Sequence, residues 1–216
     1  VNVMLENDLE CQRRSLKIRT YSVVPLSPTS GVLEWVENTQ PFGEYLIDST
    51  GSKSKLAAHS RYHPDDWSNA DCRKYMKVAE HQSSVGFNQV CTHFSPAFRY
   101  FFLERYHHPQ LWYSRRTNYV RSVAASSIVG YVLGIGDRHA YNILLDKSTA
   151  EVVHIDFGVT FEQGKALVTA ETVPFRLTRD IVDGMGITGT EGTFRRCCER
   201  VLSVLKSNSS TILTIL

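Results

Sequence analysis

The sequence predicts an α+β domain, mostly helical with a small β portion, and three features predict it. Residues 16–26 alternate apolar with polar positions (Leu16, Ile18, Thr20) and are rich in β-branched side chains, as a half-buried strand is. Val120, Ala124, Ile128 and Val132 recur every four residues, the stripe of a buried helix. Two short apolar runs, 143–145 and 152–155, flank the polar turn Asp146-Lys147-Ser148-Thr149, which is a β-hairpin pattern. With 216 residues, 42% hydrophobic and 21% charged, the chain can bury a sizeable core as one domain.

Taken in order, residues 1–15 read as the tail of a helix ending in polar Gln12-Arg13-Arg14-Ser15. The strand 16–26 turns at 27–31 (Ser-Pro-Thr-Ser-Gly) into a second strand, 32–36, that carries Trp35. By periodicity alone this pair is an ordinary hairpin with a core Trp. Residues 49–67 are polar and rich in Gly, Ser and Lys, which predicts a surface loop. A helix is expected over 71–92. Ser95 before Pro96 reads as an N-cap and first helical position, opening a helix over 96–106. Phe98, Tyr100, Phe101, Phe102 and Leu103 on it are core packing. The helix 117–133 also carries Ala124, Ala125, Ser126 and Ser127, small enough to let a neighbour approach closely. Two more helices, 177–185 and 192–206, close the chain, the second burying Phe194, Cys197, Cys198, Val201, Leu202 and Leu205.

Composition narrows the function classes. The 24 basic and 22 acidic residues give a net charge of +2, which offers no electrostatic basis for direct nucleic-acid or membrane binding by this segment. Five cysteines, none in a C-x-x-C pair, suit buried thiols in a reducing intracellular setting. No signal peptide or long apolar run is visible, so a secreted or membrane-spanning chain is not expected. His59, His63, His107 and His108 lack the repeated spacing of a zinc site.

The chemistry concentrates in residues 134–158. A short polar loop, Gly136-Asp137-Arg138-His139-Ala140-Tyr141-Asn142, precedes the hairpin, whose second strand runs into Asp156-Phe157-Gly158. A rigid hairpin can hold Asn142 at one end beside Asp156 at the other. Two oxygen ligands on one frame suit Mg²⁺, with phosphates and waters completing the octahedron. An Asp, four intervening residues and an Asn, followed by Asp-Phe-Gly, are the offsets of a protein-kinase catalytic loop. Here the order is Asp-Arg-His rather than His-Arg-Asp.

That G-x-G-D-R-H-x-x-N signature resembles the phosphoinositide-3-kinase-related protein kinases. The runs 161–165, 174–189 and 194–199 extend the resemblance along essentially the whole chain, and it weakens in the loop 52–67. The resemblance implies a protein-kinase-like catalytic domain of the PI3K/PI4K type: a mostly helical C-lobe with a partial β N-lobe and hinge. Residues 1–36 would be the end of the N-lobe and the hinge strand. Residues 37–216 would be the C-lobe, with catalytic loop 134–142 and activation loop 154–178, the domain being cut at both ends. It implies ATP and Mg²⁺ (or Mn²⁺) as cofactors. Asn142 and Asp156 would hold the metal, and Asp137 would orient the substrate hydroxyl and accept its proton. His139 would stabilise the γ-phosphoryl oxygens or serve as the base itself, and Arg138 would orient the loop. Leu33, Glu34, Trp35 and Val36 would form the hinge against adenine, with Leu144 and Ile155 lining its pocket. The activation loop has no basic cluster before Arg176 and Arg179, which favours a peptide over an inositol lipid. A serine/threonine kinase acting before Gln is thus implied, nuclear, and recruited to DNA breaks by sensor complexes through other parts of the protein. The competing readings are a pseudokinase scaffold and a lipid kinase. No Gly-rich phosphate loop and no strand lysine with a partner acid occur in the sequence, so this segment alone is expected to be inactive.

Overall fold

The computed structural model describes residues 1–47, 57–78, 83–161, 163–166 and 171–215. In chain order its elements begin with helices α1 (Asn2–Glu6) and α2 (Leu9–Arg13), then strands β1 (Val23–Ser27), β2 (Ser30–Leu33) and β3 (Thr39–Pro41). Helices α3 (Phe42–Leu46), α4 (Ala58–Tyr62), α5 (Asn69–Lys77), α6 (Ser84–Thr92), α7 (Arg99–Arg105) and α8 (Pro109–Val132) follow. The ribbon β4 (Ile143–Asp146) and β5 (Val152–His154) precedes α9 (Arg179–Gly184), α10 (Thr193–Ser207) and α11 (Ser209–Ile215).

Helices α7, α9 and α10 and strand β5 pack against α8. Pro109 opens it at the first turn, where a missing N–H costs nothing, so it starts eight residues earlier than the apolar stripe suggested. The half from Tyr119 to Gly130 is almost wholly buried, with α10 on one side and β5 on another. Ser122 makes the second contact specific. Its hydroxyl accepts the Val152 N–H at 3.0 Å and donates to the Tyr119 carbonyl, so an otherwise stranded strand amide is satisfied in the core. Phe98 is the centre of an aromatic cluster, with Phe42 at 4.6 Å and Tyr119 at 5.1 Å between ring centroids. The Tyr119 hydroxyl donates to the Ile181 carbonyl at 2.9 Å, and complete burial pushes its pKa well above the ordinary value. A Cβ on Gly184 would come within 2.3 Å of the Phe98 ring, which is why α9 can lie so close.

Several expected elements differ. The predicted strand 16–26 is replaced by the shorter 23–27, and its partner is 30–33 rather than 32–36. The Ile18 N–H and C=O go instead to the Asn2 side chain, at 2.9 and 2.8 Å, so a side-chain amide replaces a neighbouring strand. Trp35 is no core residue: it is 85% exposed, and both strands of its hairpin expose their side chains. Residues 1–15 form two short helices, the second capped by Asp8. The expected helix 71–92 is two, each with its own serine cap, Ser68 and Ser83; residues 79–82 lie outside the described residues. Within the expected loop 49–67, residues 49–56 are likewise outside, while 57–62 bury Ala57, Ala58 and His59. Ser95 caps nothing. Asp180 and Asp183 of α9 accept the Ala97 and Arg99 N–H groups, each at 2.8 Å, so the start of α7 is held by side chains 83 and 84 residues away.

A three-stranded antiparallel sheet, β3-β4-β5, carries the ribbon that the sequence predicted and adds a strand that it did not. The turn between β4 and β5 is built by Asp146. Its Oδ1 accepts Ser148 N, Ser148 Oγ and Thr149 N at 2.7–2.8 Å, and Arg19 pairs with Oδ2. Burial pushes the carboxyl upward, and these bonds outweigh it to leave a pKa of about 2. The folded value is below the unfolded one, so the stabilisation is complete above pH ~4 and lost as pH falls toward 2. Asp146 should contribute roughly 2 kcal/mol in this way. Asp146→Asn is expected to lose that amount at neutral pH and to flatten the acid limb between pH ~4 and 2, read by denaturant unfolding; an unchanged acid limb would show that the turn does not depend on its charge.

Candidate active site

The loop after α8 is aimed by the way the helix stops. Gly134 takes φ +59, Gly134 N–H donates to Tyr131 O at 3.3 Å, and Ile135 N–H donates to Gly130 O at 2.8 Å. That is a Schellman termination, and it fixes the direction of the next residues. Gly136 N–H then donates to Val159 O, and Phe161 N–H to Leu133 O, which ties the segment after Asp156 alongside the loop.

Arg138 holds the loop and the ribbon together. Its side chain is buried, and the guanidinium donates to Gly136 O at 2.8 Å, to Ile155 O at 2.7 Å and to Asp156 O. Burial lowers its pKa, opposed by Asp137, Asp156 and Glu171. It also lies over the Phe157 ring, which in turn stacks on Tyr21. Asn142, also buried, donates its amide NH₂ to Asp137 O at 2.9 Å, with Asp137 Oδ2 at 3.5 Å. Ile155 N–H donates to Asn142 O at 3.0 Å, so Asn142 and Asp156 stand one residue apart across the ribbon. Asp137 and Asp156 both have left-handed backbones, φ +55 and +58. Such a conformation costs a non-glycine residue on the order of 1–3 kcal/mol and persists only where surroundings impose it.

The side chains of Asp137 and His139 are about half exposed, with His139 Nε2 4.0 Å from Asp137 Oδ2. Both line a cleft of about 600 Å³ together with Gly136, Arg138, Gly164 and residues 171–176. The structure therefore brings Asp137, Arg138, His139, Asn142 and Asp156 into one small region. Leu144 and Ile155 lie on and beside the ribbon and do not line that cleft. Leu33, Glu34, Trp35 and Val36 sit on the exposed hairpin and its exit. Glu34 N–H is engaged by Ser22 O, and Val36 O accepts the Thr39 hydroxyl. Glu34 C=O and Val36 N–H have no backbone partner among the described residues.

One participant was not visible in the sequence. Glu171 accepts the Asp137 N–H at 2.7 Å. The two are 34 residues apart, and no motif offset links them. Glu162, earlier in the same segment, lies outside the described residues.

The donor chemistry suits a hard divalent ion. Asn142 has its NH₂ turned to Asp137, which leaves its amide oxygen as donor, and Asp156 is an exposed carboxylate one strand away. Among the described residues no group of three or more His, Cys, Asp or Glu could hold a metal. A protein that supplies one or two oxygens and leaves the rest to phosphates and water is the usual Mg²⁺ arrangement.

The whole chain, residues 1–216, matches the family model for phosphatidylinositol 3- and 4-kinase. It is 55% identical over 215 residues to the serine/threonine-protein kinase ATM of Arabidopsis thaliana, covering 100% of this chain and 6% of that protein. Identity to the serine-protein kinase ATM of Sus scrofa is 54%, over 99% of this chain and 7% of that one. Identity to the serine/threonine-protein kinase tel1 of Schizosaccharomyces pombe is 50%, over 100% and 8%. Among solved structures, the FAT and kinase domain of CtTel1 superposes with a TM-score of 0.90 at 49% identity, covering 99% of this chain and 15% of that one. A Tel1 kinase symmetric dimer gives 0.80 at 43%, over 96% and 8%. The chain thus spans less than a tenth of the length of these curated relatives.

Arg138→Lys should be poorly tolerated, because the donors of a compact ammonium radiate from one atom and cannot reproduce the planar spread with which the guanidinium reaches these three carbonyls. The expected loss is about 1.5–3 kcal/mol for each charged hydrogen bond not re-formed, measured by denaturant unfolding; an unshifted midpoint would mean that the loop stands without the guanidinium.

Proposed function

This chain belongs to the phosphatidylinositol 3- and 4-kinase family, and we propose that it forms the catalytic site of a serine/threonine protein kinase that uses Mg-ATP. The observation that carries this reading is the juxtaposition of Asn142 and Asp156 across the ribbon, with Asp137 against Asn142. Phosphoryl transfer depends mostly on placing reactants and stabilising charge on the phosphoryl oxygens, and a rigid oxygen-bearing frame does both.

In this mechanism the side-chain oxygens of Asn142 and Asp156 would hold Mg²⁺ or Mn²⁺. When bound, the ion offsets negative charge on the transferring group. Asp137 receives the substrate hydroxyl as a hydrogen bond. The hydroxyl oxygen forms a bond to the γ-phosphorus, the bond to the ADP oxygen breaks, and the proton passes to Asp137 or to His139 beside it. Both are solvent-open at the cleft, as a base receiving a protein substrate must be. Arg138 positions the loop rather than touching ATP, since its donors are already engaged by carbonyls. Leu33, Glu34, Trp35 and Val36 would meet adenine through Glu34 C=O and Val36 N–H, with Leu144 and Ile155 beneath. On this reading residues 1–36 belong to the N-lobe and hinge, and 37–216 to the C-lobe.

Protein rather than lipid is the substrate class supported. The activation loop bears no basic cluster before Arg176, and the relatives are named serine/threonine kinases. By family resemblance the full protein acts in the DNA-damage response, in the nucleus, on Ser or Thr before Gln, and is brought to breaks by sensor complexes. No helix among the described residues is long and apolar enough to cross a membrane.

In the full-length protein, Asp156→Ala should reduce phosphotransfer to a Ser-Gln peptide by at least about 10³-fold, because the ion's charge stabilisation is worth several kcal/mol, while the melting temperature stays near that of the unsubstituted protein. Near-normal turnover would remove the metal assignment. Preferential transfer to phosphatidylinositol vesicles by the unsubstituted protein would favour the lipid-kinase reading.

A further inference from the structure

The seat of the Glu171 carboxylate is built to fit it. Oε1 accepts the Asp137 N–H at 2.7 Å. Oε2 lies where a Cβ on Gly136 would come within 2.6 Å, or on Gly164 within 2.4 Å, both closer than such atoms approach. Neither glycine has a positive φ. Backbone freedom is therefore not what calls for glycine at these two positions; at Gly164 it is the volume taken by the Glu171 side chain, and at Gly136 the carboxylate together with Val159 Cγ1, which a Cβ would meet at 2.9 Å. Glu171 N–H donates to Gly164 O at 3.1 Å, which holds the side chain's own backbone against the same seat.

The consequence falls on Asp137. Its N–H is taken by Glu171, and its C=O accepts from the Asn142 amide and from His139 N–H, each at 2.9 Å. The peptide groups on both sides of its left-handed α-carbon are thus held, one by the catalytic loop itself and one by the activation segment. Gly136, Asp137, Gly164 and Glu171 all line the same cleft. We infer that Glu171 is a positioning residue: its carboxylate fixes the backbone that aims the Asp137 side chain, and so makes the placement of the activation segment a condition for phosphoryl transfer. This rests on the kinase reading for its effect on rate, although the contact itself does not.

The test uses the full-length protein carrying Glu171→Ala, Glu171→Gln, Gly164→Ala or the Glu171→Ala/Gly164→Ala pair. Displacing reacting groups by about 1 Å costs roughly 10²-fold in rate, so Glu171→Ala should lower kcat for a Ser-Gln peptide by about 10- to 100-fold. KM for ATP should stay within about threefold, since Asp156 is held by Arg138 and the Asn142 main chain by the Ile155 N–H, neither of them through the Asp137 N–H. Glu171→Gln keeps an acceptor oxygen at the same reach and should recover most of the lost rate. Gly164→Ala should be as damaging as Glu171→Ala alone but add little in the pair, because both disturb one seat. Hydrogen exchange at the Asp137 amide should quicken at least about tenfold in Glu171→Ala, whether or not the protein transfers phosphate. Unchanged exchange, a kcat within twofold, Glu171→Gln as poor as Glu171→Ala, or effects that multiply in the pair would each overturn the inference. Absence of transfer by the unsubstituted protein, with exchange quickened as expected, would instead sink the kinase reading and leave the contact standing.

Discussion

One buried cation organises the site. The Arg138 guanidinium collects the carbonyls of Gly136, Ile155 and Asp156, which come from the helix exit, the end of the ribbon and the residue beyond it. A guanidinium suits this position because it presents several N–H groups in a fixed plane and stays charged even when burial disfavours the charge. Two separate stretches of chain are thereby referred to a single rigid group. Without it, those carbonyls would lose a donor in the interior, a costly state.

The strain at Asp137 and Asp156 makes sense only against that background. Left-handed backbones at two non-glycine residues within one small loop and ribbon would relax if their peptide groups were free. They are not free. Asp137 is held through its amide and carbonyl, and Asp156 through its carbonyl on Arg138 and its Oδ1, which accepts from Gly158 N–H at 3.3 Å. The scaffold therefore stores a conformation that local propensity opposes, and it does so where the proposed chemistry needs side chains pointing out of the backbone's usual direction.

How much of this could be read in the sequence follows the range of the interactions. The ribbon 143–154, the helix stripe Val120, Ala124 and Ile128 and the spacing of Asp137, Asn142 and Asp156 are local patterns, and they are legible, while Val132 at the end of the expected stripe is exposed. Strand 16–26 misled because its alternation is real while its partner is a side chain, Asn2, which periodicity does not encode. The start of α7 was misplaced because its caps are Asp180 and Asp183, which no rule based on nearby residues can reach. Strand β3 was missed since three residues ending in proline carry no pattern of their own and are ordered by pairing with β4. Glu171 belongs with these. Its only trace in the sequence is two glycines that look ordinary until their surroundings are known.

The Asp146 turn and the Arg138 clamp restrain opposite ends of the same ribbon, and that has a thermodynamic corollary. Donors immobilised before any ligand arrives lose little freedom when it does, so the ordering entropy is settled during folding instead of during association. On the proposed kinase reading, uptake of a divalent ion with its nucleotide should then proceed with a small heat-capacity change, in contrast to sites that fold around what they bind.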